Sequence, residues 1–161
     1  ILTNIGYHLL GRGSNMKSCF FIGHRRVSED IQEQLEEVVE QHICQYGVTC
    51  FTVGHYGAFD GMAARAVKKA KKKHPEVQLY LLLPYHPHDQ PIPTPNGFDG
   101  TYYPSGMETV PKRAAIVQAN RKLVNESDYL IAYLKHFGNT RDLVEYAQRR
   151  EKQGLIQVTL L

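Results

Sequence analysis

The chain has 161 residues and 18.3 kDa, with 42% hydrophobic, 10% aromatic and 22% charged residues, the size and composition of one ordinary globular domain. It is long enough to bury a core without disulfide or metal support, and the composition excludes collagen-like, fibrous and disordered classes. A formal net charge of +3 with pI near 8.7 favours anionic ligands only weakly, and no apolar run reaches the roughly 20 residues of a membrane span.

Residues 1–15 (ILTNIGYHLLGRGSN) carry neither the basic segment nor the apolar run of a secretory signal and read as a leader or tag remnant. The expected organisation is therefore a leader over 1–15 and one domain over 16–161. The three cysteines, Cys19, Cys44 and Cys50, have no CxxC spacing and read as buried thiols of a reducing, cytoplasmic compartment.

From Met16 onward strand and helix patterns alternate. Ser18–Gly23 (SCFFIG) reads as a buried strand, followed by Ser28 as a helix N-cap and an apolar series Ile31, Leu35, Val38, Val39 and Ile43, stopped by Gly47. Thr49–Gly54 reads as a second strand. A second helix carries Met62, Ala63, Ala66, Val67 and Ala70 and ends near Pro75; Val77–Leu83 is the third strand. Pro84 to Pro111 holds seven of the eight prolines and reads as a long irregular segment, a lid or binding loop. A helix over 112–125, a strand over 128–134, a helix capped by Thr140 and ended by Gly154, and a fifth strand over 155–160 complete the pattern. Apolar strands separated by amphipathic helices predict an α/β fold, a Rossmann-like three-layer sandwich with a mostly parallel sheet.

Ligands of such sheets bind beyond the carboxyl ends of the strands. Five of the eight histidines, His24, His55, His86, His88 and His136, fall at that edge. Without an HxxxH or HExxH pattern they predict pocket-lining hydrogen-bonding groups and no metal or other cofactor. Two glycine turns there are candidate phosphate cradles. Gly54-x-x-Gly57-x-x-Asp60-Gly61 and Gly138-Asn139-Thr140 each lead into a helix, where free amides and the helix dipole attract anions and the Thr140 hydroxyl can donate. Neither matches the P-loop or GxGxxG, which argues against ATP hydrolysis and hydride transfer. Asp60 has two equal readings, a ribose hydrogen-bond acceptor or a cap of its own helix. Arg113 and Asn120 lie seven residues apart, on one side of a helix, with Arg121 beside them as a further anion-binding group. The lysines at 68, 69, 71, 72 and 73 read first as a solvated helix surface.

Four motifs, CFFIGHR from Cys19, GxxGxxDxxAARAV over Gly54–Val67, NRKLVNESDYLIAY from Asn120 and GNTRDLVEYAQRREKQG over Gly138–Gly154, resemble the SLOG superfamily of DprA, LOG and YpsA-like proteins, nearest a small bacterial branch with a CFxGHR opening. The resemblance covers nearly all of 16–161. It implies a Rossmannoid domain that binds a nucleotide or nucleotide-derived phosphate ligand, as a sensor or processing domain. It places the glycine turn at Gly54, Gly57 and Asp60, the Arg/Asn signature at Asn120 and Arg121, and the second phosphate turn at Gly138, Asn139 and Thr140; His24 and Arg25 follow the first strand in the same pocket. LOG proteins resemble GGxGTxxE in that last turn, and this chain has Leu143 at the glutamate's position, with Glu145 the next acid. In the binding reading the long proline-rich loop folds over the ligand, with Tyr85, Tyr102 or Tyr103 stacking on a base; a phosphoribohydrolase or nucleoside-hydrolase reading would draw its acid from Asp60, Glu108 or Glu145. A DprA-like single-strand DNA reading has only the lysine run and exposed aromatics behind it, against a modest net charge and no tryptophan, so a nucleotide-like small molecule is the expected partner. A homodimer fits the resemblance.

Overall fold

The structure is a computed structural model that describes residues 16–161; the leader reading of 1–15 lies outside the described residues. Six strands form one sheet, β1 (Lys17–Ile22), β2 (Val48–Val53), β3 (Gln78–Leu82), β4 (Gly100–Tyr102), β5 (Tyr129–Ala132) and β6 (Gln157–Leu160). Their order is β4-β3-β2-β1-β5-β6 and every pairing is parallel. Four helices make the crossovers, α1 (Gln32–Cys44), α2 (Ala58–Lys71), α3 (Ala115–Glu126) and α4 (Asn139–Lys152). The α/β Rossmann-like class expected from the alternation is the class observed.

The cause is visible in the burial. β1 is buried from Ser18 to Ile22, and β2 from Cys50 to Val53, so both faces of the central strands are covered. Phe21 stacks on Phe51 at 5.8 Å and meets Phe59 of α2 at 6.5 Å, joining sheet to helix. Leu35 and Val39 of α1, Met62, Ala63 and Val67 of α2, Ala119 and Val124 of α3, and Val144 and Ala147 of α4 are essentially inaccessible. These are the residues whose spacing marked the helices in the sequence. Gly47 and Gly154 follow α1 and α4 with φ of +71° and +74°, the left-handed conformation that ends a helix.

Three expectations need correction. The segment from Pro84 to Pro111 is not wholly irregular. Gly100–Tyr102 pairs with Tyr80–Leu82 and adds a sixth strand at the sheet edge, too short to show in the sequence and fully buried. Ser28 has extended dihedrals but caps nothing with its side chain; a short 3-10 turn, Glu29–Ile31, precedes α1. Cys19 and Cys50 are buried thiols, but Cys44 is exposed, because the last turn of α1 turns it outward.

Candidate functional site

The chain runs outward from β1 through β2, β3 and β4, then returns to lay β5 on the other side of β1. That reversal opens a crevice beyond the carboxyl ends of β1 and β5. A cleft of about 590 Å³ lies there, walled by the residues after β1 (Gly23–Arg26), after β2 (Gly54, Tyr56, Gly57, Asp60), after β5 (His136–Thr140) and by Ile116, Val117, Asn120 and Arg121 of α3. Gly57, Arg121 and Thr140, widely separated in sequence, thus share one cavity. Its size falls within the range of small-molecule sites.

The turn into α4 leaves its leading amides open toward the cleft. Gly138 is the N-cap, with φ +136° and ψ −162°, a region only glycine enters without strain. No side chain caps the helix, and Asp142 N–H bonds back to the Gly138 carbonyl. The amides of Asn139, Thr140 and Arg141, the leading N–H groups of α4, have no acceptor among the described residues. The helix dipole adds its positive end at the same place. The Thr140 hydroxyl is not the free donor expected from the sequence. It donates to the Gly23 carbonyl at 3.1 Å and ties α4 to the end of β1.

The turn into α2 looks alike in sequence, but two of its three leading amides are already spent and only that of Asp60 has no acceptor among the described residues. Ala58 N–H donates to the Arg25 carbonyl at 2.9 Å and Phe59 N–H to the His24 carbonyl at 3.4 Å. Tyr56 N–H donates to Asp60 Oδ2 at 3.2 Å. A Cβ on Gly57 would stand 2.7 Å from Arg25 Cα, and one on Gly54 would stand 2.8 Å from Asp60 Oδ2. These glycines let the β1 and β2 connections pack on each other, with the Tyr56, Ala58 and Phe59 amides taken up inside the protein. The Asp60 side chain caps no amide of its own helix; it accepts from Tyr56 N–H in the preceding turn, on the wall of the cleft. Burial raises its carboxyl to about 6, although the Tyr56 amide pulls the other way.

His24 is nearly buried and stacks on His136 at 3.7 Å, edge-on to Tyr133. Its Nε2 accepts the Lys135 amide at 2.9 Å, so the neutral ring carries its proton on Nδ1. Burial, and secondarily the neighbouring His136, hold its pKa below the ordinary histidine value. His24 therefore acts as a neutral strap between the β1 and β5 loops, on the cleft wall. Arg25, Arg26 and Arg121 supply the cleft's permanent positive charge, against Asp60 and Asp142. Arg121 lies over the Tyr146 ring at 4.4 Å, which holds its guanidinium beside α4.

Other expected residues fall elsewhere. Arg113 is exposed in the 3-10 turn Lys112–Ala114 and does not line the cleft; the 3-10 turn shifts its direction from the one a continuous helix would give. Glu108 is exposed in another 3-10 turn, and Glu145 is paired with Arg141 at 3.0 Å, both outside the cleft. Tyr102 and Tyr103 are buried, Tyr102 donating to Glu126 at 2.7 Å, so neither can stack on a base; Tyr85 does not line the cleft either. His55, His86 and His88 also lie off its wall. Within the lysine run, Lys69 pairs with Glu36, Lys71 with Asp99, and Lys68 lies 4.9 Å over Phe98. Besides the buried Phe20 and Phe21 at its floor and the stacked His24 and His136, the cleft is lined by the aromatic rings of Tyr56 and Phe137. Phe137 is 80% exposed, with the Arg141 guanidinium 4.3 Å over one ring face. An apolar ring between a histidine and a glycine at a strand's carboxyl end was the available sequence signal. Among the described residues no helix is long and apolar enough to cross a membrane.

No family model matches the chain, and a search of curated proteins finds no match.

Proposed function

We propose that the protein binds a phosphate-bearing nucleotide or nucleotide derivative in this cleft, as a sensor or processing domain of the SLOG type. The observation that supports it most is the set of three unpartnered amides of Asn139, Thr140 and Arg141, on a turn that shares its cleft with Arg25, Arg26 and Arg121. A phosphate accepts hydrogen bonds from N–H groups fixed in this way, and a guanidinium completes its neutralisation. The exposed ring of Phe137 and the Tyr56 ring offer apolar surfaces for a base. Asn120, on the helix wall, offers an amide to a ribose or base edge.

Calorimetric titration with nucleoside mono- and diphosphates and with the matching nucleosides tests the reading. A phosphorylated compound is expected to bind, its nucleoside to bind far more weakly, and Arg121→Ala to weaken the phosphorylated compound by about tenfold or more. Absence of binding across the panel, or equal binding of nucleoside and nucleotide, overturns it.

One observation favours a second reading, an enzyme that cleaves the base from a nucleotide. Asp60, with its carboxyl raised to about 6, lines the cleft together with a second carboxylate, Asp142, which the sequence did not single out. A carboxyl near neutrality serves general acid–base chemistry. Release of free base that disappears in Asp60→Asn supports this reading; a rate equal to the uncatalysed one across the panel removes it.

A further inference from the structure

The sheet edge opposite the cleft carries a separate cluster. α1 ends at Cys44 just before β2, and His74 follows α2 just before β3. Glu40 and Cys44 are one helical turn apart on α1 and so lie on one face. His74 comes against them from the neighbouring helix, with Nε2 2.8 Å from Glu40 Oε2, and Cys44 Sγ lies 3.5 Å from the same oxygen. The donor atoms of all three residues lie within 4.8 Å of one another. Around a tetrahedral zinc ion with bonds of about 2.0–2.3 Å, donor atoms stand roughly 3.3–3.8 Å apart. Small side-chain rotations at an accessible surface bring these three to that spacing.

We propose that Glu40, Cys44 and His74 form a binding site for a zinc-class divalent cation, with its fourth position open to water. The donor set decides the class. A thiolate and an imidazole favour zinc over magnesium or calcium, which take oxygen ligands. Glu76 completes the arrangement from outside, its Oε1 4.0 Å from His74 Nδ1. On binding, the thiol proton of Cys44 passes to solvent. The imidazole ligates through Nε2 and carries its proton on Nδ1, facing Glu76, an orienting contact common behind metal-bound histidines. Lys73 is the neighbouring cation and counts against the site, outweighed by Glu40, Glu76 and the thiolate. The ion would staple the ends of α1 and α2, which already meet through Lys69 and Glu36.

The test is a zinc titration of metal-free full-length protein against a chromophoric chelator, repeated with cobalt to read thiolate coordination in the absorption spectrum. One equivalent is expected, with a thiolate-to-cobalt charge-transfer band. Cys44→Ala and His74→Ala should each weaken binding by more than about tenfold, and Glu76→Gln by a smaller factor. His86→Ala with His88→Ala, remote from the cluster, should leave it unchanged. Cys44 is exposed, so its replacement leaves the fold intact. Absence of stoichiometric binding in the micromolar range, or binding that survives Cys44→Ala, overturns the proposal.

Discussion

The two glycine turns at the carboxyl edge of the sheet read alike on paper and differ in what their amides do. At the start of α2, two of the three leading amides, those of Ala58 and Phe59, are consumed by the β1 connection and that of Asp60 has no acceptor among the described residues, while the Tyr56 amide ahead of the helix goes to the Asp60 carboxylate. At the start of α4, the corresponding amides of Asn139, Thr140 and Arg141 remain free beside a glycine with φ +136°. Glycine in the first turn is a packing device, needed because Arg25 Cα occupies the space a Cβ would take. Glycine in the second is a conformational device, because a Cβ on Gly138 would meet nothing within 4 Å. A glycine before a helix therefore leaves room for an anion only to the extent that the helix amides are not already spent on a neighbouring loop.

The sharpest way to break this contrast is to add a Cβ to each turn. Gly57→Ala should cost about 3 kcal/mol of stability, since backbone must move, and should lower the denaturant midpoint. Gly138→Ala should cost about 2 kcal/mol from dihedral strain and, unlike Gly57→Ala, should abolish ligand binding under conditions where the protein is still folded. Equal effects of the two on stability and binding would erase the distinction.

Asp60 provides the next test. Its folded pKa of about 6 lies above the unfolded value of 3.8, so the folded state holds the proton more tightly. The unfavourable charge burial is absent below about pH 4 and grows as pH rises through 6. Asp60→Asn keeps an acceptor for Tyr56 N–H and loses the charge. It should be more stable than the parent by about 1–2 kcal/mol at pH 8 and equal to it at pH 4, read from unfolding curves across that range. A variant no more stable at pH 8 would contradict the burial of the carboxylate.

The fold was legible because its signal is periodicity. Phe20, Phe21, Phe51 and Leu79 in continuous apolar runs, and Leu35, Met62 and Val144 at helical spacing, state where the core is before any coordinate does. β4 was not legible, because three residues, Gly100–Tyr102, between prolines have no period to show. The cleft was legible at His24, Arg25, Asn120, Arg121 and Gly138, whose positions follow from strand ends and helix faces. What the sequence could not carry is partnership: that Thr140 donates to Gly23, that Tyr102 is buried on Glu126, or that Cys44 and His74 come together across two helices. Those depend on long-range register, which no local spacing encodes.

The smallest expected effect separates two roles of one side chain. Thr140→Val removes the hydrogen bond to the Gly23 carbonyl and should cost about 1 kcal/mol of stability. Ligand affinity should stay within about twofold of the parent, less than a lost hydrogen bond to a charged phosphate would cost, because the hydroxyl is already spent on the protein. A large loss of affinity in this variant would return the hydroxyl to the ligand.

The central claim is that the α4 turn, and not the α2 turn, holds the anion. Backbone amide NMR of the full chain, titrated with the tightest-binding nucleotide and with inorganic phosphate, tests it most directly. The account predicts the largest saturable shifts at Asn139, Thr140 and Arg141, with Ala58 and Phe59 little changed. Shifts centred on Ala58 and Phe59, or none at either turn, would contradict it.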